Sequence, residues 1–85
     1  MVDAILYTTS TCVKCKRVAK FFEEKDITYE KLVIDEDSEA RTESIMDNIL
    51  SVPAIKNKKG KVLRIKDIFL NGSLNVEIIL NHLCL

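Results

Sequence analysis

Two cysteines, Cys12 and Cys15, are separated by two residues in the segment TSTCVKC (9–15). Cysteines at this spacing carry out thiol–disulfide exchange, bind metal ions, or form a structural disulfide. The chain has three cysteines, and an odd number does not favour a framework of paired structural disulfides. A disulfide closing so short a loop would also stabilise the fold by only roughly 2 kcal/mol. The pair therefore indicates a reaction centre or half of a metal site.

The remaining metal-ligand candidates are His82 and Cys84 in NHLCL (81–85). Because they lie two positions apart at the end of a predicted helix, their side chains should point to different faces. No second CxxC pair exists to complete a zinc site. We therefore expect no metal and no cofactor, and we expect His82 and Cys84 to fill or border the core. The alternative to a redox enzyme is a protein that binds a metal ion or an iron–sulfur cluster.

The composition limits the partners of the protein. Eighty-five residues, 47% of them hydrophobic, predict a single domain over 1–85. Lysine plus arginine and aspartate plus glutamate both number 13, so no net charge favours nucleic acid or an anionic membrane. The start of the chain, MVDAILY, resembles no secretory leader, and no apolar run approaches a membrane span. We expect a cytoplasmic monomer.

Short apolar runs alternate with amphipathic stretches along the whole chain. Predicted strands cover 4–8 and 27–35, predicted helices run from the CxxC to about 25 and over 35–50 and 75–83, and a β-hairpin is predicted over 53–66. The second helix should bury Ala40, Ile45 and Ile49, and Asn48 should leave it in a left-handed conformation. The resulting order, βαβαββα, predicts an α/β fold with a four-stranded mixed sheet flanked by helices.

The CxxC pair falls where the first strand is predicted to become a helix. A free cysteine is mostly protonated at neutral pH, and a helix start stabilises the thiolate, which is the nucleophile. Cys12 would occupy that start, whereas Cys15 shares the predicted buried stripe with Val18 and Phe22. The pattern therefore predicts that Cys12 attacks a disulfide and that Cys15 resolves the mixed disulfide.

The chain resembles the thioredoxin fold, at the size of a glutaredoxin. The resemblance rests on the first strand, the CxxC at the next helix start, SVPAI (51–55) and Gly72 after the hairpin. The segment YTTSTCVKC is similar to the glutaredoxin active-site segment, and CVKC is close to that of the glutaredoxin-like electron donors of ribonucleotide reductase. The resemblance implies a cis Val52–Pro53 bond and a dithiol–disulfide oxidoreductase acting on disulfide-containing client proteins. The residues expected to contact the client are Thr11, Val13, Lys14, Val52, Pro53 and Gly72.

The sequence also departs from both families. Thr9 stands where glutaredoxins usually have a lysine that helps bind glutathione, and NGSLN (71–75) lacks the second glycine and the aspartates typical of their glutathione site. Thioredoxins have a tryptophan before the first cysteine and a buried aspartate where this chain has Leu6. We therefore expect the reductant to be a thioredoxin-reductase-type flavoprotein or another dithiol donor. A glutathione-dependent glutaredoxin and a donor to ribonucleotide reductase are the alternatives.

Overall fold

The computed structural model describes residues 2–49 and 51–83. Its larger sheet has four strands in the spatial order β2-β1-β3-β4. In chain order these strands are β1 (Ala4–Thr8), β2 (Tyr29–Val33), β3 (Ala54–Asn57) and β4 (Val62–Leu63). The central strand β1 is parallel to β2 and antiparallel to β3, and β3 is antiparallel to β4. The predicted four-stranded mixed sheet is confirmed.

Four helices and a second, small hairpin complete the described chain. The helices are α1 (Val13–Glu24), α2 (Ser38–Met46), α3 (Ile65–Ile68) and α4 (Val76–Leu83), and the small hairpin pairs β5 (Phe69–Leu70) with β6 (Ser73–Leu74). The predicted hairpin over 53–66 forms, but its second strand ends at Leu63. The chain instead turns into α3, whose N–H groups at Asp67 and Ile68 donate to the Arg64 carbonyl. This turn buries Ile68 completely in the core.

Side chains of β1 alternate between the two faces of the sheet and so separate two apolar clusters. Leu6 packs on one face with Phe22 of α1 and Ile79 of α4. Tyr7 points to the other face and packs with Ile49, which follows α2, and with Ala54, the first residue of β3. The sheet is therefore covered on both faces, and α1 is held against it along its apolar stripe.

The buried face of α2 differs from the prediction. Ala40 and Ile49 are buried, but Ile45 is 68% exposed. Ser44 takes the inward position, four residues after Ala40, and its hydroxyl donates to the Arg41 carbonyl at 2.7 Å. Since this hydrogen bond satisfies the hydroxyl, a polar residue is tolerated there. The left-handed Asn48 after the helix is confirmed, with φ of 56°.

A partly buried hydrogen-bond network ties β1 to the end of α2. The Tyr7 hydroxyl donates to Asp47 Oδ2 at 2.7 Å, and Lys56 Nζ lies 3.0 Å from the same oxygen. Hydrogen bonds from Tyr7 and Lys56 lower the pKa of Asp47, whereas burial, followed by Asp47, raises the pKa of Tyr7. The network links the central strand to the segment that leads to Pro53.

We expect Asp47→Asn to reduce the free energy of unfolding by about 1–3 kcal/mol at neutral pH, the usual cost of weakening a partly buried charged hydrogen bond. Because folding lowers the pKa of Asp47, this stabilisation is present above the unfolded value near pH 4 and is lost as pH falls through the folded value. Urea unfolding should therefore show the wild type and Asp47→Asn converging on acidification. Glu24→Gln, which removes an exposed carboxylate, is the matched control. An equal loss in both variants would contradict the role of the network.

Candidate active site

Cys12 is the N-cap residue of α1. Its backbone is extended, with φ of −80° and ψ of 108°, and its sulfur accepts a hydrogen bond from the Cys15 N–H at 3.1 Å. The Cys12 N–H donates to the Thr9 carbonyl at 3.3 Å, which closes a turn just before the helix. The helix therefore aims a backbone donor at the sulfur, and such a donor stabilises a thiolate.

The two cysteines differ in their access to solvent. They are joined by a disulfide, with Cα atoms 5.3 Å apart. Cys12 is half-buried, whereas Cys15 is only 1% exposed and faces the sheet. An incoming sulfur can therefore reach Cys12 more readily than Cys15. The predicted order of attack and resolution is compatible with this difference.

An acidic residue that the sequence analysis missed anchors the loop before Cys12. Asp35 accepts hydrogen bonds from the Ser10 N–H at 3.0 Å and from the Ser10 hydroxyl at 2.6 Å. The hydroxyl hydrogen bond is the main cause that lowers the pKa of Asp35, so its carboxylate stays ionised at neutral pH. Asp35 follows β2, and β2 is parallel to β1 with Val33 opposite Thr8. Because carboxyl ends of parallel strands meet at one sheet edge, the acidic residue at the end of the second predicted strand was the available signal.

The Val52–Pro53 peptide bond is cis, as the resemblance implied. It immediately precedes β3, whose first residue, Ala54, lies opposite Tyr7 near the carboxyl end of β1. The loop therefore lies at the same end of the sheet as the segment leading to Cys12. Val52 is half-buried, but Pro53 is fully buried. Pro53 is thus placed to shape the loop, and Val52 is the more accessible member of the pair.

The start of α1 contacts the small β5–β6 hairpin. Lys14 Nζ lies 5.5 Å from the centre of the Phe69 ring, and the Arg17 guanidinium carbon lies 5.7 Å from it. Arg17 also donates to the Gly72 carbonyl at 3.2 Å. Gly72, with φ of 80°, forms the turn of this hairpin together with Asn71, with φ of 52°. Such a two-residue Asn-Gly turn is typical of tight hairpins.

The predicted client-contact residues lie in three segments: the residues around Cys12, the cis Val52–Pro53 pair, and the turn of the β5–β6 hairpin. Thr11 and Val13 are exposed on either side of Cys12, with Val13 70% exposed. Lys14 lies over the Phe69 ring and the Gly72 carbonyl accepts from Arg17, so both predicted residues lie where α1 meets the β5–β6 hairpin. Their role in binding a client stays a prediction.

The glutaredoxin family model matches residues 4–59, which cover β1, the CxxC pair, β2, α2 and β3. The chain belongs to the glutaredoxin family. Family membership and the Cys12–Cys15 disulfide together indicate a thiol–disulfide redox function. No curated protein matches the chain.

Solved structures with the same fold include both thioredoxin-like and glutaredoxin proteins. A variant of the thioredoxin-like protein BC3987 is 21% identical, with a TM-score of 0.76 over 99% of this chain and 97% of that one. The glutaredoxin from Archaeoglobus fulgidus is 24% identical, with a TM-score of 0.66 over 96% and 86%. Buckwheat glutaredoxin in complex with glutathione is 19% identical, with a TM-score of 0.52 over 64% and 53%. These similarities confirm the thioredoxin-like fold of this glutaredoxin-family chain.

The alternative of a metal site depended on residues near the end of the chain. Cys84 lies outside the described residues, so the expectation for its side chain stays a prediction. One ring nitrogen of His82 lies 3.0 Å from the Ile55 carbonyl oxygen, at the edge of β3. Within residues 2–49 and 51–83, no three histidine, cysteine, aspartate or glutamate side chains come together as a metal site would require.

The same part of the chain contains no helix with the length and apolar character needed to cross a bilayer.

Proposed function

We propose that this glutaredoxin-family protein is a dithiol–disulfide oxidoreductase that passes electrons to disulfides of client proteins in the cytoplasm. The observation that carries the proposal is the asymmetry of the cysteine pair. Cys12 is half-buried and its sulfur accepts a hydrogen bond from the Cys15 N–H, whereas Cys15 is only 1% exposed. A reactive thiol needs an accessible site that favours its anion, and a resolving thiol needs only to reach its partner.

The reaction begins with the reduced chain. The Cys12 thiolate attacks one sulfur of the client disulfide, forming a mixed disulfide, and the other client sulfur leaves as a thiolate that takes up a proton. The Cys15 thiol then loses its proton and attacks the Cys12 sulfur, forming the disulfide seen here and releasing the second client sulfur as a thiol. The client has gained two electrons from the cysteine pair and two protons, one of which comes from solvent because Cys12 reacts as the thiolate.

The client is proposed to bind as an extended segment beside Val52. In this arrangement the backbone of Val52 adds the client as a short strand, and the buried Pro53 fixes the direction of that backbone. Thr11, Val13 and Lys14 contact the client around the attacked disulfide, and Gly72 borders it from the β5–β6 hairpin. Four of these residues are exposed, which supports this proposal: Thr11, Val13, Lys14 and Gly72.

The proposed reductant is a thioredoxin-reductase-type flavoprotein or another dithiol donor. The lysine that helps hold glutathione is replaced by Thr9, and the Gly72 carbonyl is already engaged by Arg17. Glutathione is the second candidate, because the buckwheat glutaredoxin of the same fold is in complex with glutathione.

Mass spectrometry after alkylation tests the proposed redox chemistry. Reversible oxidation should lower the number of free thiols from the three in the sequence to one, and the lost pair should be Cys12 and Cys15. In the reduced chain, Cys12 should be alkylated faster than Cys15 and Cys84 near pH 7, because it is the thiol at the helix start. Equal rates at all three cysteines would contradict the assignment of Cys12, and a persistent count of three would contradict the function.

A further inference from the structure

The first two-thirds of α1 carries positive charge on its exposed side. Its four basic residues are all exposed: Lys14, Lys16, Arg17 and Lys20. The ion pairs in the described part of the chain are Lys56–Asp47 and Lys58–Asp3. None of the α1 cations is therefore neutralised by a carboxylate within ion-pair distance, and these charges begin two residues after Cys12.

Two of these cations are held in place. Lys14 and Arg17 both lie over the ring of Phe69, at 5.5 and 5.7 Å from its centre. Arg17 is further fixed by its hydrogen bond to the Gly72 carbonyl. Exposed lysines and arginines usually lose side-chain entropy when they bind an anion, and an aromatic ring that already orders them reduces that cost. We refer to Lys14 and Arg17 over Phe69 as the cation pair.

The acidic residues of the chain are concentrated in another segment, which reaches the active-site loop where Asp35 is hydrogen-bonded to Ser10 and where Glu36 lines the same cleft as Cys15. Of the 13 acidic residues, six lie in the segment that follows β2 and forms α2: Asp35, Glu36, Asp37, Glu39, Glu43 and Asp47. The zero net charge of the chain thus combines a basic α1 surface with an acidic segment that also borders the cysteine pair. Adjacent patches of opposite charge orient a charged partner as it approaches.

We propose that the cation pair recognises carboxylate side chains next to the client disulfide, so that the preferred clients are proteins whose redox-active disulfide lies in an acidic segment. The inference rests on the proposed function, since it names the client class of the same site. Lys14 and Arg17 lie beside the β5–β6 hairpin, whose Gly72 is proposed to border the client, so acidic side chains of a bound client segment would meet them there. Because Lys14 and Arg17 are both positively charged, the partner that we propose for this surface is an acidic protein segment.

The size of the effect follows from the exposure of the pair. An exposed ion pair contributes little net binding energy, so two of them change the association rate and its salt dependence more than the final affinity. The preference should therefore be strong at low salt and weak near 1 M salt, where the screening length falls to about 3 Å.

The test compares two disulfide peptides of the same length, one with glutamates and one with lysines beside the cysteines. The wild type should reduce the acidic peptide with a kcat/KM at least about tenfold above that of the basic peptide at low salt. Lys14→Glu combined with Arg17→Glu should reverse this preference. The ratio of the two peptides is the readout, because any change in Cys12 reactivity alters both rates alike. Lys14→Glu alone, which leaves the Arg17–Gly72 hydrogen bond intact, should reduce the ratio in the same direction.

Lys59→Glu combined with Lys61→Glu is the matched control. Both lysines are exposed and lie in the β3–β4 turn. β3 runs antiparallel to β1, with Asn57 opposite Ala4, so this turn lies at the end of the sheet away from Cys12. The control changes the net charge equally but should keep the wild-type ratio. Equal turnover of both peptides by the wild type, or an equal shift in the control, would overturn the cation pair as the cause.

Binding separates this inference from the proposed function. Peptides with serine in place of both cysteines cannot react, yet the acidic one should still bind the wild type more tightly than the basic one by fluorescence anisotropy. This preference would support the inference even if turnover failed, whereas turnover without any preference would overturn only the inference. Reduction of glutathione disulfide in preference to the acidic peptide would also overturn it.

Discussion

Cys12→Ser is expected to abolish the reduction of protein disulfides, leaving only uncatalysed exchange, whereas Cys15→Ser should retain the first half of the reaction. In the Cys15 variant the Cys12 thiolate still attacks, but no second thiol is available to break the mixed disulfide. The variant should therefore accumulate a covalent complex with a disulfide-containing protein. Non-reducing electrophoresis and mass spectrometry of the linked peptides measure the complex, and an NADPH-coupled assay measures turnover.

The difference in burial between Cys12 and Cys15 makes this outcome specific. Cys15 is 1% exposed, so it should form no complex with a client when Cys12 is absent. Cys84→Ser is the matched control, since it removes the third thiol of the chain, and it should turn over like the wild type. A stable complex formed by Cys12→Ser rather than by Cys15→Ser would reverse the assigned roles.

Local patterns were sufficient to predict the elements that position the thiols. The apolar run 4–8 gave β1, and the change to helical spacing after Cys12 gave α1 with Cys15 on its buried face. Both signals arise from periodic burial, which the sequence records directly. The cis Val52–Pro53 bond came only from the resemblance, because local preference favours trans.

Contacts between distant segments were not predictable in the same way. The Ser10–Asp35 hydrogen bonds span 25 residues and the Tyr7–Asp47 hydrogen bond spans 40. Each requires knowledge of which strand ends meet, and several acidic residues near Asp35 and Asp47 could have served equally well by sequence. Similarly, the sequence predicts a buried Ile45 because apolar residues are usually buried. In the structure Ser44 is buried instead, because its hydroxyl donates a hydrogen bond to the Arg41 carbonyl.

The turn of the small β5–β6 hairpin has a clear signal in the sequence, because Asn71-Gly72 is typical of two-residue hairpin turns. The family resemblance instead aligns this segment, NGSLN, with the glutathione-binding segment. In the structure the turn brings the Gly72 carbonyl to Arg17 and places Phe69 under Lys14. The segment therefore forms part of the surface beside α1.

Glutathione is expected to reduce the wild-type chain poorly, while a thioredoxin-reductase-type flavoprotein supports efficient turnover. A charge-assisted hydrogen bond contributes about 1.5–3 kcal/mol, so the loss of the lysine at Thr9 and of an acid within 71–75 should weaken glutathione binding by tens-fold or more. The assay follows NADPH oxidation during reduction of a protein disulfide, with either the flavoprotein or glutathione and glutathione reductase as the source of electrons.

Restoring the missing groups tests the physical cause of this difference. Thr9→Lys supplies the cation, and Asn75→Asp supplies a carboxylate within the NGSLN segment (71–75). Asn75 Oδ1 accepts from the Ile78 N–H at 3.4 Å at the start of α4, and aspartate caps a helix equally well. The double variant should lower the glutathione concentration at half-saturation by on the order of tenfold, which corresponds to about 1.4 kcal/mol. Thr28→Lys, at an exposed position just before β2 and so at the opposite end of the sheet, is the matched control and should leave that concentration unchanged. If the wild type already saturates at low glutathione and the flavoprotein is inactive, then Thr9 and residues 71–75 do not determine the reductant, and the chain is a glutathione-dependent glutaredoxin.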